Sequence, residues 1–177
     1  MHPLHHNHKI QKSDFIINEP SYEFQIYNPS SDYEIYNIYD NYHGYWISIL
    51  PNTGSVVINM SGGNGSANVY NRRSFSTIDG IPLNQWVLVT ALMRSATDME
   101  IYFNCESKAG TYSGSGLTTL AYSSTPSRIG SSVGDNALLS DRFFNGDIDN
   151  FKIWNKELSS QEINLLCQSL NVEELGK

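Results

Sequence analysis

The chain has 177 residues, 40% of them hydrophobic, and 11 Lys+Arg against 18 Asp+Glu give it a formal net charge of -7. That length can bury a core without an obligatory metal or disulfide, and it predicts one domain, with or without a tail. An acidic balance without basic clusters argues against nucleic-acid binding, which rests on Lys and Arg, and apolar runs of only a few residues argue against membrane insertion through a helix.

Residues 1–13, MHPLHHNHKIQKS, are polar and hold four of the five histidines, with no apolar stretch of the signal-peptide kind. They are expected to form an arm outside a domain of residues 14–177, either a tag remnant or a native arm that packs on a neighbouring chain. His2, His5, His6 and His8 are chemically able to hold a metal, although His tracts of this sort are more often incidental. Tyr22, Phe24 and Ile26 alternate with Glu23 and Gln25, the period-two pattern of a strand with one buried face. Tyr33, Ile35 and Tyr39 continue it less cleanly. Tyr45, Ile47 and Ile49 alternate with Trp46 and Ser48, and Pro51-Asn52-Thr53-Gly54 is a turn signal before a second run at 55–60. Residues 45–60 therefore read as a β-hairpin. The SGGNGSAN stretch at 61–68 reads as a loop.

Residues 86–93, WVLVTALM, are apolar on both faces and predict a central buried strand. After a turn at 95–98, Met99, Ile101 and Phe103 alternate with Glu100, Tyr102 and Asn104 and close another hairpin. Residues 105–116 suggest an irregular hairpin tip, 117–122 and 127–129 short strands, 131–141 a polar loop, and 147–154 a last strand. Ser159-Ser160-Gln161-Glu162 fits a capping box, with Leu158 and Ile163 at the staple positions. Ile163, Leu166, Cys167 and Leu170 then follow helical spacing. The expected fold class is all-β: an antiparallel jelly-roll β-sandwich with one short C-terminal helix. Cys105 and Cys167 are expected to be free, partly buried thiols, because spacing does not establish pairing.

Two segments carry a family resemblance. Asn84-Gln85-Trp86-Val87-Leu88-Val89-Thr90 followed by Met99-Glu100-Ile101-Tyr102-Phe103-Asn104 resembles the "W-hydrophobic-x-V-T … I-Y-V-N-G" hairpin of concanavalin A-like domains. Ser127-Arg128-Ile129-Gly130 resembles the strand that ends in "IG". Residues 144–159, FNGDIDNFKIWNKELS, followed by Glu162-Ile163, are similar to the ending of the laminin G-like and pentraxin-like branch. Cys105 stands where that family usually has a turn glycine. The resemblance implies two curved antiparallel sheets and binding of glycans, proteins or lipids at rim loops or on the concave face, often with calcium. It also implies that an aspartate at the Asp149 position helps to hold a structural cation.

The chemistry follows from the residues. Retaining glycosidases of this fold use an E-x-D-x-x-E strand, and the chain has no such triplet. Gly130-Ser131-Ser132-Val133-Gly134 matches G-x-S-x-G, but no helix pattern and no later histidine follow it. The chain is thus expected not to be an enzyme. Asp147 and Asp149, on one face of the last strand, are the calcium candidates, with the loop from Gly134 to Asp141 weaker. Tyr42, His43 and Tyr45, and Tyr70, Asn71 and Arg72 after the glycine-rich loop, are the glycan-binding candidates, since sugars stack on rings and hydrogen-bond to amides. The sequons at Asn59 and Asn64 are chance matches in an Asn- and Ser-rich chain. The expected function is a lectin-like recognition module for glycan or protein surfaces within a larger surface assembly. The alternative is a virion decoration or fibre protein whose N-terminal arm holds other chains. Either works at an extracellular surface or on a virion.

Overall fold

A computed structural model describes residues 21–27, 33–38, 43–50, 52–62, 72–115, 128–132 and 142–174. Two antiparallel sheets make up most of it. The five-stranded sheet holds β1 (Ser21–Tyr27), β6 (Trp86–Ser95), β7 (Asp98–Phe103), β8 (Glu106–Ser107) and β13 (Asp147–Trp154), in the order β13-β1-β6-β7-β8. The six-stranded sheet holds β2 (Tyr33–Ile38), β3 (His43–Ile49), β4 (Ser55–Gly62), β5 (Arg72–Gly80), β9 (Gly110–Ser113) and β10 (Arg128–Ile129), in the order β10-β2-β3-β4-β5-β9. A small ladder pairs β11 (Ser131–Ser132) with β12 (Arg142–Phe143), and one helix, α1 (Ser160–Glu174), follows β13. No helix among the described residues is long and apolar enough to cross a membrane.

The period-two pattern of the sequence becomes the inner layer. Tyr45, Ile47 and Ile49 of β3, with Val56, Ile58 and Met60 of β4, face Val87, Val89 and Ala91 of β6 and Met99, Ile101 and Phe103 of β7 across one apolar core. Each fully buried branched side chain here stabilises the sandwich by roughly 1.5–3 kcal/mol relative to exposure. The predicted hairpin over 45–60 forms, and β4 extends two residues further, through Gly62, into the expected loop. Residues 63–71 and the strand expected at 117–122 lie outside the described residues, as does the N-terminal arm.

Two local departures from regular strand geometry shape the five-stranded sheet. Glu23 pairs with Lys152 and Gln25 with Asp149, so Phe24 faces two residues of β13, a β-bulge. Asn150, with φ of 53°, takes the left-handed conformation this requires. The bulge changes the phase of β13: Ile148 packs inward before it, Phe151 and Ile153 after it. The second departure is the β7–β8 turn, where Asn104 and Cys105 have φ of 49° and 64°. Two successive positive φ values between the paired Phe103 and Glu106 make a type I′ turn. The chain keeps the turn while placing a cysteine where glycine is easiest.

Candidate functional site

The outer face of the five-stranded sheet is divided between a covered end and an open end. At the covered end, Leu158, just before α1, and Ile163 of α1 pack with Leu92 and Tyr102, with Trp154, Leu166 and Cys105 around them. This accounts for β6 being apolar on both faces: Val87, Val89 and Ala91 meet the other sheet, and Leu92 meets the helix. The expected capping box forms. Ser159 Oγ accepts the Glu162 N–H at 3.3 Å, and Glu162 Oε2 accepts the Ser159 N–H at 2.9 Å. The Lys156 ammonium, then the Ser159 N–H and hydroxyl, hold the Glu162 carboxyl down at about 2.

Cys105 and Cys167 form a disulfide, with Cα atoms 6.2 Å apart, within the bridging range. This corrects the expectation of two free thiols. The partners are 62 residues apart in sequence, and only the landing of α1 beside the β7–β8 turn brings them together. Beside this end, Arg94 donates to Asp98 at 2.9 Å, Glu100 at 2.7 Å and Glu157 at 2.5 Å. Desolvation works against its charge, and the three carboxylates outweigh it, so its pKa rises and it stays a cation. Burial, followed by the charge of Glu100, raises the Tyr102 phenol.

At the open end, Trp86 is 42% exposed, and Asp147 and Asp149 are exposed. Their neighbours Val87 and Ile148 belong to the core, so strand alternation puts Trp86, Asp147 and Asp149 on the outer side. Trp86 and Asp147 both pair with Tyr27 of β1, which sets their backbones two ladder spacings, about 9.5 Å, apart. Leu88 and Asp149 likewise flank Gln25. Asn104 closes the β6–β7 side, its Oδ1 accepting the Leu88 N–H at 2.9 Å. Asp149 Oδ1 accepts the neighbouring Asn150 N–H at 2.8 Å, supporting the bulge. Among the described residues, no group of three His, Cys, Asp or Glu is placed to hold a metal ion.

The glycan candidates read from sequence are placed differently. Tyr45 is 1% exposed and belongs to the inner core, so its ring offers no face to a sugar; the register of β3 turns it inward. His43 stands opposite Gly62, and Arg72 stands opposite Ser61 in the next row, two strands away and on the other alternation of the sheet. Arg72 is half-buried, and its Nε has no hydrogen-bond partner among the described residues. Tyr42, Tyr70 and Asn71 lie outside the described residues. On the outward side of the six-stranded sheet, Trp46, Asn59 and Ser74 form one cross-strand row, and all three are buried. Ser74 Oγ donates to Asn59 Oδ1 at 2.7 Å, so this polar pair is satisfied internally. Trp86 was missed as a surface group because it opens an apolar run. Its signal was its position: the first residue after the polar Asn84-Gln85 pair, on the side opposite Val87 and Val89.

A family model described as the concanavalin A-like lectin/glucanases superfamily matches residues 6–164. No curated protein matches the chain. Among solved structures, the binding domain of Paraclostridial Mosquitocidal Protein 1 aligns with a TM-score of 0.65 and 19% identity, over 92% of this chain and 40% of that one. The binding domain of botulinum neurotoxin DC, solved in complex with rat synaptotagmin II, aligns with a TM-score of 0.63 and 19% identity, over 92% of this chain and 39% of that one. A botulinum neurotoxin type C structure, whose cell entry is described as dependent on two ganglioside molecules, aligns with a TM-score of 0.57 and 22% identity, over 86% of this chain and 36% of that one. At such identities these likenesses establish the fold. The chain spans about two fifths of the length of these structures.

Proposed function

We propose that this chain, which belongs to the concanavalin A-like lectin/glucanase superfamily, is a non-catalytic, lectin-like recognition module. Its partners are glycan or protein surfaces, with glycan the better-supported class. The observation that carries this reading is the open end of the outer sheet face, where the exposed Trp86 shares a surface with Asp147 and Asp149. A partly exposed aromatic on the same sheet face as hydrogen-bonding groups suits a ligand with an apolar face and polar edges. One neighbour of the same fold is a botulinum neurotoxin binding domain in complex with synaptotagmin II, and another is a neurotoxin whose cell entry depends on interaction with two ganglioside molecules, which supports binding of either class. The Cys105–Cys167 disulfide supports an oxidising, extracellular setting.

In this reading the module serves within a larger surface assembly, with residues 1–13 as the contact to other chains. Asp147 and Asp149 are the residues that would contribute to a structural calcium site. Calorimetric titration with calcium, against a chelator control, tests that part; no heat and no melting shift removes it. The binding function itself is tested on an array of neutral and anionic glycans. Folded protein should retain a specific subset, and a blank array removes the glycan reading.

A further inference from the structure

We propose that the Cys105–Cys167 bridge is a redox-sensitive latch: a dithiol reductant opens it, and residues 164–174 of α1 then leave the sheet while the sandwich stays folded. Little else holds that part of the helix. Among the described side chains of α1, Ile163 alone is buried; Leu166 and Cys167 are half-buried, and Leu165 is 56% exposed. The helix backbone nears the strands at isolated points only. A helix of 15 residues is marginal in water without a packed face. α1 also ends on Glu173 and Glu174, with no basic residue in its last turn, so acids stand at the negative end of its dipole. The bridge supplies the hold that packing and the helix itself do not.

Bonds that reduction leaves intact fix both sides of the moving segment. On the sheet side, Asn104 donates its N–H to the Leu88 carbonyl at 2.8 Å and accepts the Leu88 N–H on Oδ1 at 2.9 Å, which keeps the β7–β8 turn on β6. On the helix side, the Ser159–Glu162 cap and the buried Leu158 and Ile163 keep the first turn in place. Motion therefore begins after Ile163 and lifts Leu166 from the apolar patch of Leu92, Tyr102 and Trp154. Both cysteines are half-buried, so the bridge sits at the margin of that patch, where a thiolate can approach. One thiolate of the dithiol attacks either sulfur and expels the other as a thiolate, giving a mixed disulfide. The second thiol of the reductant then resolves it, leaving two protein thiols and the reductant's own disulfide. Two electrons and two protons pass from the reductant to the protein.

Carbon-13 NMR of the whole chain, before and after dithiothreitol at neutral pH, tests the latch. The free-thiol titre should rise from none to two. The helical Cα shifts of residues 166–174 should fall to less than about half their oxidised values, while residues 87–92 and 99–103 keep their strand shifts. Oxidised glutathione should restore the helical shifts. Cys105→Ser with Cys167→Ser should show the lowered helical shifts without reductant and no response to it. Unchanged shifts at 166–174 after full reduction overturn the latch. So does loss of the strand shifts together with the helical ones, because the bridge would then hold the whole fold, and so does a double variant that still responds to the dithiol.

Discussion

Removing the Cys105–Cys167 bridge should cost the fold several kilocalories per mole, and the size of the loss should depend on what replaces Cys105. The bridge closes a 62-residue separation, and the chain-entropy model assigns such a loop about 4 kcal/mol of stabilisation, exerted mainly on the unfolded state. The cysteine also occupies a costly backbone position, with φ of 64°, where an L side chain costs about 1 kcal/mol or more and glycine costs little. The double variant Cys105→Ser with Cys167→Ser should therefore lose about 4 kcal/mol, since it loses the cross-link and keeps the strained turn. Cys105→Gly with Cys167→Ser should lose about 3 kcal/mol, because the turn relaxes. Urea unfolding followed by tryptophan fluorescence reads both, and the slope of free energy against urea should steepen as the unfolded chain expands. Wild-type protein treated with excess dithiol should fall on the serine variant. Losses under about 1 kcal/mol, or a glycine variant no more stable than the serine one, would refute the reasoning.

The other predictions are smaller. Glu162 is held near 2 by Lys156 and Ser159, against an ordinary value of 4.5, so its stabilising contribution is complete above that value and disappears as pH falls through 2. The melting difference between wild type and Glu162→Gln should accordingly shrink from pH 6 to pH 2; a difference constant with pH would contradict the capping geometry. Ser159→Ala should cost about 1 kcal/mol through the lost cap, read as a lower urea midpoint. Gly110→Ala places a Cβ 2.4 Å from Phe75 Cζ and 2.6 Å from the Ser76 carbonyl oxygen. That carbonyl cannot yield without disturbing the β5–β9 ladder, so the variant should lose about 1–3 kcal/mol. Tyr112→Phe removes the hydroxyl that accepts the Met99 N–H at 2.7 Å, and the stranded amide should cost about 1–3 kcal/mol; an unchanged melting curve would show that another acceptor takes over.

The amino-acid sequence by itself determined the long strands other than β5, the hairpin turns and the cap of α1. Alternation at Tyr45, Ile47 and Ile49, and the Ser159–Glu162 spacing, express forces that act within a few residues, so the pattern is local and legible. The long matching segments at 84–104 and 144–163 made the sandwich legible as well, and the family match covers them. Tertiary structure alone decided three things. It paired Cys105 with Cys167 by landing a helix on a turn 62 residues away. It shifted the phase of β13 at Asn150, since a bulge depends on what the partner strand presents. And it buried Tyr45 while leaving Trp86 exposed. Alternation tells which residues share a face of a strand, but a face becomes core or surface only through the element that covers it. On β6 that element, α1, covers Leu92 and leaves Trp86 exposed, and its position is fixed by contacts between residues distant along the chain.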